Sequence, residues 1–131
     1  CGGKRPSGFN KGYFYEPTIF DNVQDNFTIA KEEPFGPLVP LLTFKDTDEV
    51  VKRANDNDLG LCSYLYTNSM DKAHIGSEKL ESGCVAVNTG VVAIAEAPFG
   101  GIKQTGYGRE GGSGAIKDYL NVKYTHMGLK I

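Results

Sequence analysis

The chain has 131 residues, 40% of them hydrophobic and 23% charged, a length and composition that fit at most one ordinary globular domain. A net charge of −2, with no concentrated Lys/Arg run, gives no electrostatic case for nucleic acid. No stretch approaches the ~18 apolar residues of a membrane span, and the polar opening Cys1-Gly2-Gly3-Lys4-Arg5-Pro6 is no signal peptide.

In chain order, residues 1–12 are polar and Gly-rich and predict a turn or hairpin loop. Tyr13–Phe20 is aromatic and β-branched around Pro17, which predicts extended structure at an edge or bend. Residues 26–33 have room for one or two helical turns before Pro34 and Pro37 stop them. The apolar run Leu38–Phe44 predicts a strand buried on both faces. Asp46, with Glu49 three residues on, predicts a capped helix that ends before Gly60.

Leu61–Tyr66 is a second strand candidate. Ser69 predicts the cap of a second helix, stopped at Gly83, and Cys84–Asn88 a third strand. Strand starts about twenty residues apart, with a helix between each pair, predict an α/β fold with a parallel βαβαβ sheet and flanking helices. Ala115–Leu120 predicts a short helix. The alternating Asn121–Met127 predicts a terminal strand that either pairs back or reaches the sheet edge of another subunit. The expected division is 1–120 and 121–131.

Three cysteines without CxxC spacing and two distant histidines, His74 and His126, argue against a disulfide framework and a metal site. They fit a reducing compartment, the cytoplasm. Cys62 and Cys84 fall inside apolar strands, where a thiol acts as a small hydrophobe rather than a nucleophile. Ser69-Met70-Asp71-Lys72 has SxxK spacing but lacks the companion elements of acylating hydrolases, so it predicts only a cap. The chain begins at Cys, and it is expected to be part of something longer.

Residues 95–112 run into a loop where Gly100, Gly101, Gly106, Gly108, Gly111, Gly112 and Gly114 crowd together. Gly loses the most entropy on folding and packs nothing, so this density predicts tight turns or close approach. Lys103, Arg109 and Glu110 among the glycines suit the wall of a site. Gly106–Gly111 spells GxGxxG, but Lys103-Gln104-Thr105 precedes it instead of a hydrophobic strand, so a dinucleotide fingerprint is not expected. Glu32–Pro37 has two readings. In one, a stiff turn presents a Glu to a diol such as a ribose and Phe35 to a flat heterocycle. In the other, a solvated Glu pair flanks a core Phe, and spacing alone favours this second reading.

Glu33-Pro34-Phe35-Gly36-Pro37, Asn88 and Pro98-Phe99-Gly100-Gly101-Ile102-Lys103-Gln104-Thr105-Gly106-Tyr107-Gly108-Arg109-Glu110 together resemble the C-terminal part of the aldehyde dehydrogenase superfamily. The residues around Glu96–Gly111, Asn88-Thr89-Gly90 and Asp118–Tyr124 are most similar to its succinate-semialdehyde dehydrogenases. The resemblance covers essentially the whole chain, and it implies oxidation of a small-molecule aldehyde, succinic or a related semialdehyde, with NAD or NADP. It implies that Glu33 and Phe35 hold the nicotinamide end of the coenzyme. Phe99 then lines the aldehyde tunnel, Ala93 faces the substrate and Glu110 relays protons. Thr105 stands where the family has Ser, and Ala93 where the subfamily often has Ser. The family's nucleophilic Cys, general base and oxyanion donor match nothing here, so these residues alone are expected to be inactive. A homodimer or homotetramer, joined through 121–131, is implied for the parent. The rival expectation is a non-catalytic α/β scaffold or interaction module of the same origin.

Overall fold

The computed structural model describes residues 1–130. Contacts group the chain into two units, Cys1–Glu49 and Val50–Ile131, each of which is described by itself.

The first unit begins with the expected loop. Arg5 donates from Nη1 to the carbonyls of Phe9 (3.2 Å) and Gly12 (2.7 Å), and the Glu16 N–H donates to the Lys4 carbonyl at 2.9 Å. The loop leads into β1 (Thr18–Phe20), then α1 (Thr28–Lys31) and β2 (Leu38–Pro40). β1 and β2 pair in parallel, with Thr18 opposite Leu38 and Phe20 opposite Pro40. Thr18 is buried with its polar atoms satisfied: Oγ1 donates to the Glu16 carbonyl and accepts the Gly3 N–H, both at 2.7 Å. Val39 and Leu41 are half-exposed, so the run from Leu38 is not covered on both faces as its hydrophobicity predicts.

α2 (Thr47–Asn55) starts where the capping pattern puts it. The Glu49 N–H donates to Asp46 Oδ1, and Glu49 Oε2 accepts the Lys45 N–H, each at 2.9 Å. Such a cap is worth about 1 kcal/mol. The helix ends at Asn55 rather than running toward Gly60. Asn57 closes it instead: Nδ2 donates to the Ala54 carbonyl at 3.0 Å and Oδ1 accepts the Leu59 N–H at 2.7 Å.

The second unit contains β3 (Leu59–Gly60), β4 (Cys62–Leu65), α3 (Met70–Lys79), β5 (Cys84–Val87), β6 (Ile102–Lys103) and a 3₁₀ turn (Ala115–Tyr119). β4 and β5 pair in parallel across α3, from Cys62 opposite Cys84 to Leu65 opposite Val87. Ser69 caps α3, its Oγ accepting the Lys72 N–H at 3.4 Å, the cap that the SxxK spacing predicts. α3 lies on β4 through its buried Gly76, where a Cβ would run into the Leu65 side chain. Ala86 in β5 is, with Val23 of the first unit, one of two buried hydrophobics among the described residues.

The parallel α/β class holds, but not as one three-stranded sheet. β2 pairs with β1, so the chain makes two βαβ units, β1-α1-β2 and β4-α3-β5. The antiparallel pair β3–β6 is additional, joining Leu59 to Lys103 and Gly60 to Ile102. Residues 121–130 form no strand within the described chain, so of the two expectations for Asn121–Met127 the pairing back does not occur here, and a strand needs a ladder partner to form. Ile131, the last position of the expected terminal strand, lies outside the described residues.

Candidate functional site

The loop that follows β5 is held by its ends, its middle and its side chains. At the end of β5, Asn88 adopts φ 55°, a left-handed conformation that Asn tolerates better than most residues. Its side chain then reads both backbone groups of Thr67, Oδ1 accepting the N–H and Nδ2 donating to the carbonyl at 2.9 Å each. Further on, Phe99 and Glu110 form an isolated antiparallel bridge, with two reciprocal N–H···O bonds of 2.7 Å. The segment containing Ala93 joins the same assembly, since the Gly112 N–H donates to the Ala95 carbonyl at 2.9 Å. Three of the expected substrate-side positions, Ala93, Phe99 and Glu110, therefore belong to one tied loop. Ala93 and Glu110 are exposed and Phe99 is half-buried.

Close backbone approach, the reason expected for the glycines, is met at Gly83 and Gly101. A Cβ on Gly83 would collide with the Gly100 carbonyl oxygen, so strand and loop meet backbone to backbone. Gly83 does not terminate α3 as expected; Leu80 does, through its N–H to the Gly76 carbonyl at 3.0 Å. A Cβ on Gly101 would collide with the methyl of Thr105. The Thr105 hydroxyl accepts the Gly60 N–H at 2.8 Å, a bond that a Ser could also make.

Lys103 sits at φ 55° and is held there by three acceptors. Nζ lies 2.8 Å from Glu81 Oε2, 2.8 Å from the Asn55 carbonyl and 3.1 Å from the Asn57 carbonyl. Its cation thus rests on the C-terminal end of α2, where the helix dipole favours positive charge. Lys103 is a strut of the loop and has no donor pointed elsewhere. The sequence carried no signal for this, because its partners lie far away along the chain.

A cleft of about 380 Å³ opens in this unit, lined by Leu61, Phe99, Thr105, Tyr107, Arg109, Glu110 and neighbouring residues. That volume lies within the range of small-ligand sites. The GxGxxG within it is not a nucleotide fingerprint. A strand does precede it, β6, but it is only two residues long, and the chain continues into a 3₁₀ turn instead of an α-helix whose N-terminus could meet a pyrophosphate.

Glu33 and Phe35 belong to the first unit, in the turn between α1 and β2. The turn is stiffened by tight backbone bonds, Gly36 N–H to the Pro34 carbonyl at 2.6 Å and Leu38 N–H to the Gly36 carbonyl at 2.8 Å. Phe35 is 97% exposed, so the expectation of a core Phe is wrong. The two prolines hold the ring outward where it has nothing of its own unit to pack on. Glu33 is exposed beside it. An exposed carboxylate next to a bare aromatic face suits a diol attached to a flat heterocycle.

The strand cysteines behave as their setting predicts. Burial pushes the Cys62 thiol up from its ordinary value, and the facing Cys84 adds to the shift. The Cys84 thiol donates to the Gly100 carbonyl at 3.9 Å. A thiol kept protonated is a poor nucleophile. No group of three or more metal-ligating side chains comes together among the described residues.

Comparison with known proteins extends the geometry. The model of the aldehyde dehydrogenase family matches residues 1–125. The chain is 46% identical to the succinate-semialdehyde dehydrogenase [NADP(+)] of Escherichia coli over 98% of its own length and 26% of that protein's. It is 49% identical to the glutarate-semialdehyde dehydrogenase of Pseudomonas putida over 87% of its length and 24% of that protein's. Among solved structures it is similar to an aldehyde dehydrogenase from Bacillus cereus in complex with NAD+, with a TM-score of 0.88 and 46% identity, covering 94% of this chain and 25% of that one. The chain thus spans about a quarter of the length of the curated relatives it matches.

Proposed function

We infer the function from the family to which this chain belongs, the aldehyde dehydrogenase family. The whole protein that carries it oxidises an aldehyde to a carboxylic acid, with a semialdehyde of a short dicarboxylic acid as substrate and NAD or NADP as coenzyme. The relatives named for succinate and glutarate semialdehydes support that substrate class, and those named for NADP(+) and NAD+ support the coenzyme. The observation that carries the reading is the Phe99–Glu110 bridge, which puts an aromatic and a carboxylate on the wall of one cleft.

When bound, NAD or NADP accepts the hydride. Glu33 holds the ribose hydroxyls on the nicotinamide side, its carboxylate accepting their O–H donors, and the bare ring of Phe35 packs on the nicotinamide end. Phe99 walls the aldehyde and Ala93 faces it. Glu110 takes protons onward from the general base toward solvent. Covalent catalysis needs a thiolate, a base and oxyanion donors assembled together. None of Cys1, Cys62 and Cys84 matches the family's nucleophilic Cys, and its general base and oxyanion donor are likewise unmatched, so these 131 residues alone are expected not to turn over aldehyde. The segment from Asn121 to Lys130 pairs as a strand against a second copy in a homodimer or homotetramer, which the exposed Val122 and Tyr124 support. The compartment is the cytoplasm, the reading that unpaired cysteines favour.

The test is coenzyme reduction by the whole protein with succinic and glutaric semialdehydes, each with NAD and with NADP. Turnover with at least one pair is expected, and none with the 131-residue chain alone. No turnover by the whole protein, or steady turnover by the chain alone, contradicts the account. Ala93→Ser restores a hydroxyl donor to a substrate carboxylate and should raise kcat/KM for succinic semialdehyde about tenfold, the worth of one hydrogen bond to a charged group. An unchanged kcat/KM counts against the semialdehyde.

A further inference from the structure

A loop this rich in glycine bends cheaply but does not stay still, because each glycine costs more entropy to fix than any other residue. Gly106 and Gly108 have φ of 132° and 80°, conformations that side-chain-bearing residues rarely adopt. Yet Phe99 and Glu110 must hold one geometry if they line a reaction cleft. What fixes them lies outside the pair. The 3₁₀ turn Ala115–Tyr119 brings the chain back so that Asp118 Oδ2 accepts the Arg109 N–H at 2.7 Å, one residue before Glu110. From the same residue, the Arg109 guanidinium donates from Nη1 to the carbonyls of Gly101 (2.9 Å) and Gly108 (2.6 Å). The backbone of Arg109 is thus tied forward to the 3₁₀ turn, and its side chain is tied back to the start of the loop.

We propose that Asp118 is a positioning residue for the aldehyde side of the cleft: its carboxylate anchors the Arg109 backbone and so holds the Phe99–Glu110 bridge in place. A carboxylate accepting a backbone N–H makes a stronger bond than a neutral acceptor does, which suits the anchor nearest to Glu110 in a loop whose ladder is one residue pair long. Gly108 makes room for it, since a Cβ there would sit 2.9 Å from Asp118 Oδ2. Asp118 and Arg109 both line the cleft with Phe99 and Glu110. The proposal rests on the aldehyde dehydrogenase reading above and adds to it a residue outside the pair that meets the substrate.

The test uses the whole protein with Asp118→Ala, Asp118→Asn and Gly108→Ala, measuring KM for aldehyde and coenzyme, kcat, and amide exchange at Arg109 and Glu110. Asp118→Ala should lower kcat/KM for the aldehyde about tenfold or more, the scale of a small misplacement at a reacting site, with coenzyme KM unchanged. Asp118→Asn keeps an acceptor oxygen at the same reach and should recover most of the loss. Gly108→Ala should resemble Asp118→Ala. Wild-type kinetics in Asp118→Ala overturn the proposal. So does a loss that Asn does not relieve, or one that raises coenzyme KM equally, since either is general loosening. If the unmutated protein oxidises no aldehyde, the functional reading fails, and amide exchange decides the proposal alone. Faster exchange at Arg109 and Glu110 in Asp118→Ala sustains the anchor, and unchanged exchange overturns it.

Discussion

The loop of residues 95–112 and the turn at Glu33–Pro37, which we propose serve the aldehyde and the coenzyme respectively, are built in opposite ways. The loop is tied at nearly every step, by the Phe99–Glu110 bridge, by Lys103 on the end of α2, by Thr105 on Gly60 and by Asp118 on Arg109. The turn is shaped by two prolines and short backbone bonds, and the exposed side chains of Glu33 and Phe35, proposed for the coenzyme, lie outside those bonds. In the loop, therefore, a substitution disturbs folding and chemistry together. In the turn, the two separate.

The largest effect expected from that contrast is at Gly83. Gly83→Ala drives a methyl into the Gly100 carbonyl oxygen, a backbone atom that cannot swing away. Overpacking of this kind costs about 3 kcal/mol or more, a large share of a typical folding free energy. Urea unfolding of the whole protein should show the midpoint fall sharply, and a midpoint near wild type would mean that strand and loop do not meet this closely. Thr105→Val comes next. It keeps the shape but removes the acceptor of the Gly60 N–H, at a cost of about 1–3 kcal/mol. Thr105→Ser should retain most of that stability, and equal losses in the two variants would show that the methyl, not the hydroxyl, matters. The smallest effect on folding should come from Phe35→Ala. A ring 97% exposed gives up almost no buried area, so the unfolding midpoint should stay within the scatter of an ordinary surface change, about 0.5 kcal/mol. A fall comparable to that of Thr105→Val would show that Phe35 packs on something.

The contrast also explains what was legible in the amino-acid sequence. Local signals read well: Asp46 with Glu49 marked the start of α2, Ser69 marked α3, and both lie within one helical turn of what they bond. β4 and β5 were evident as short apolar-rich stretches on either side of a capped helix. Pairing was less so. The partner of β2 is β1, whose three residues gave no alternation to count, and β6 is too short for any periodicity. For the terminal segment, the alternation in Asn121–Met127 states a capacity to pair and says nothing about a partner, and within the described chain it pairs with none. For the proposed site, only the family motifs pointed to Glu33, Phe35, Phe99 and Glu110, whereas spacing alone favoured a core Phe35. The struts Lys103 and Asp118 stayed hidden, since a cation meeting carbonyls 46 and 48 residues away leaves no local trace.

The division of labour between the two regions is tested most directly by steady-state kinetics on the whole protein carrying Glu33→Gln or Phe99→Leu. Glu33→Gln weakens a charge-assisted bond to the ribose and should raise coenzyme KM about tenfold with aldehyde KM unchanged. Phe99→Leu should raise aldehyde KM and leave coenzyme KM alone. Wild-type constants in both variants, or the same pattern in each, would contradict the assignment of the turn to the coenzyme and the loop to the aldehyde.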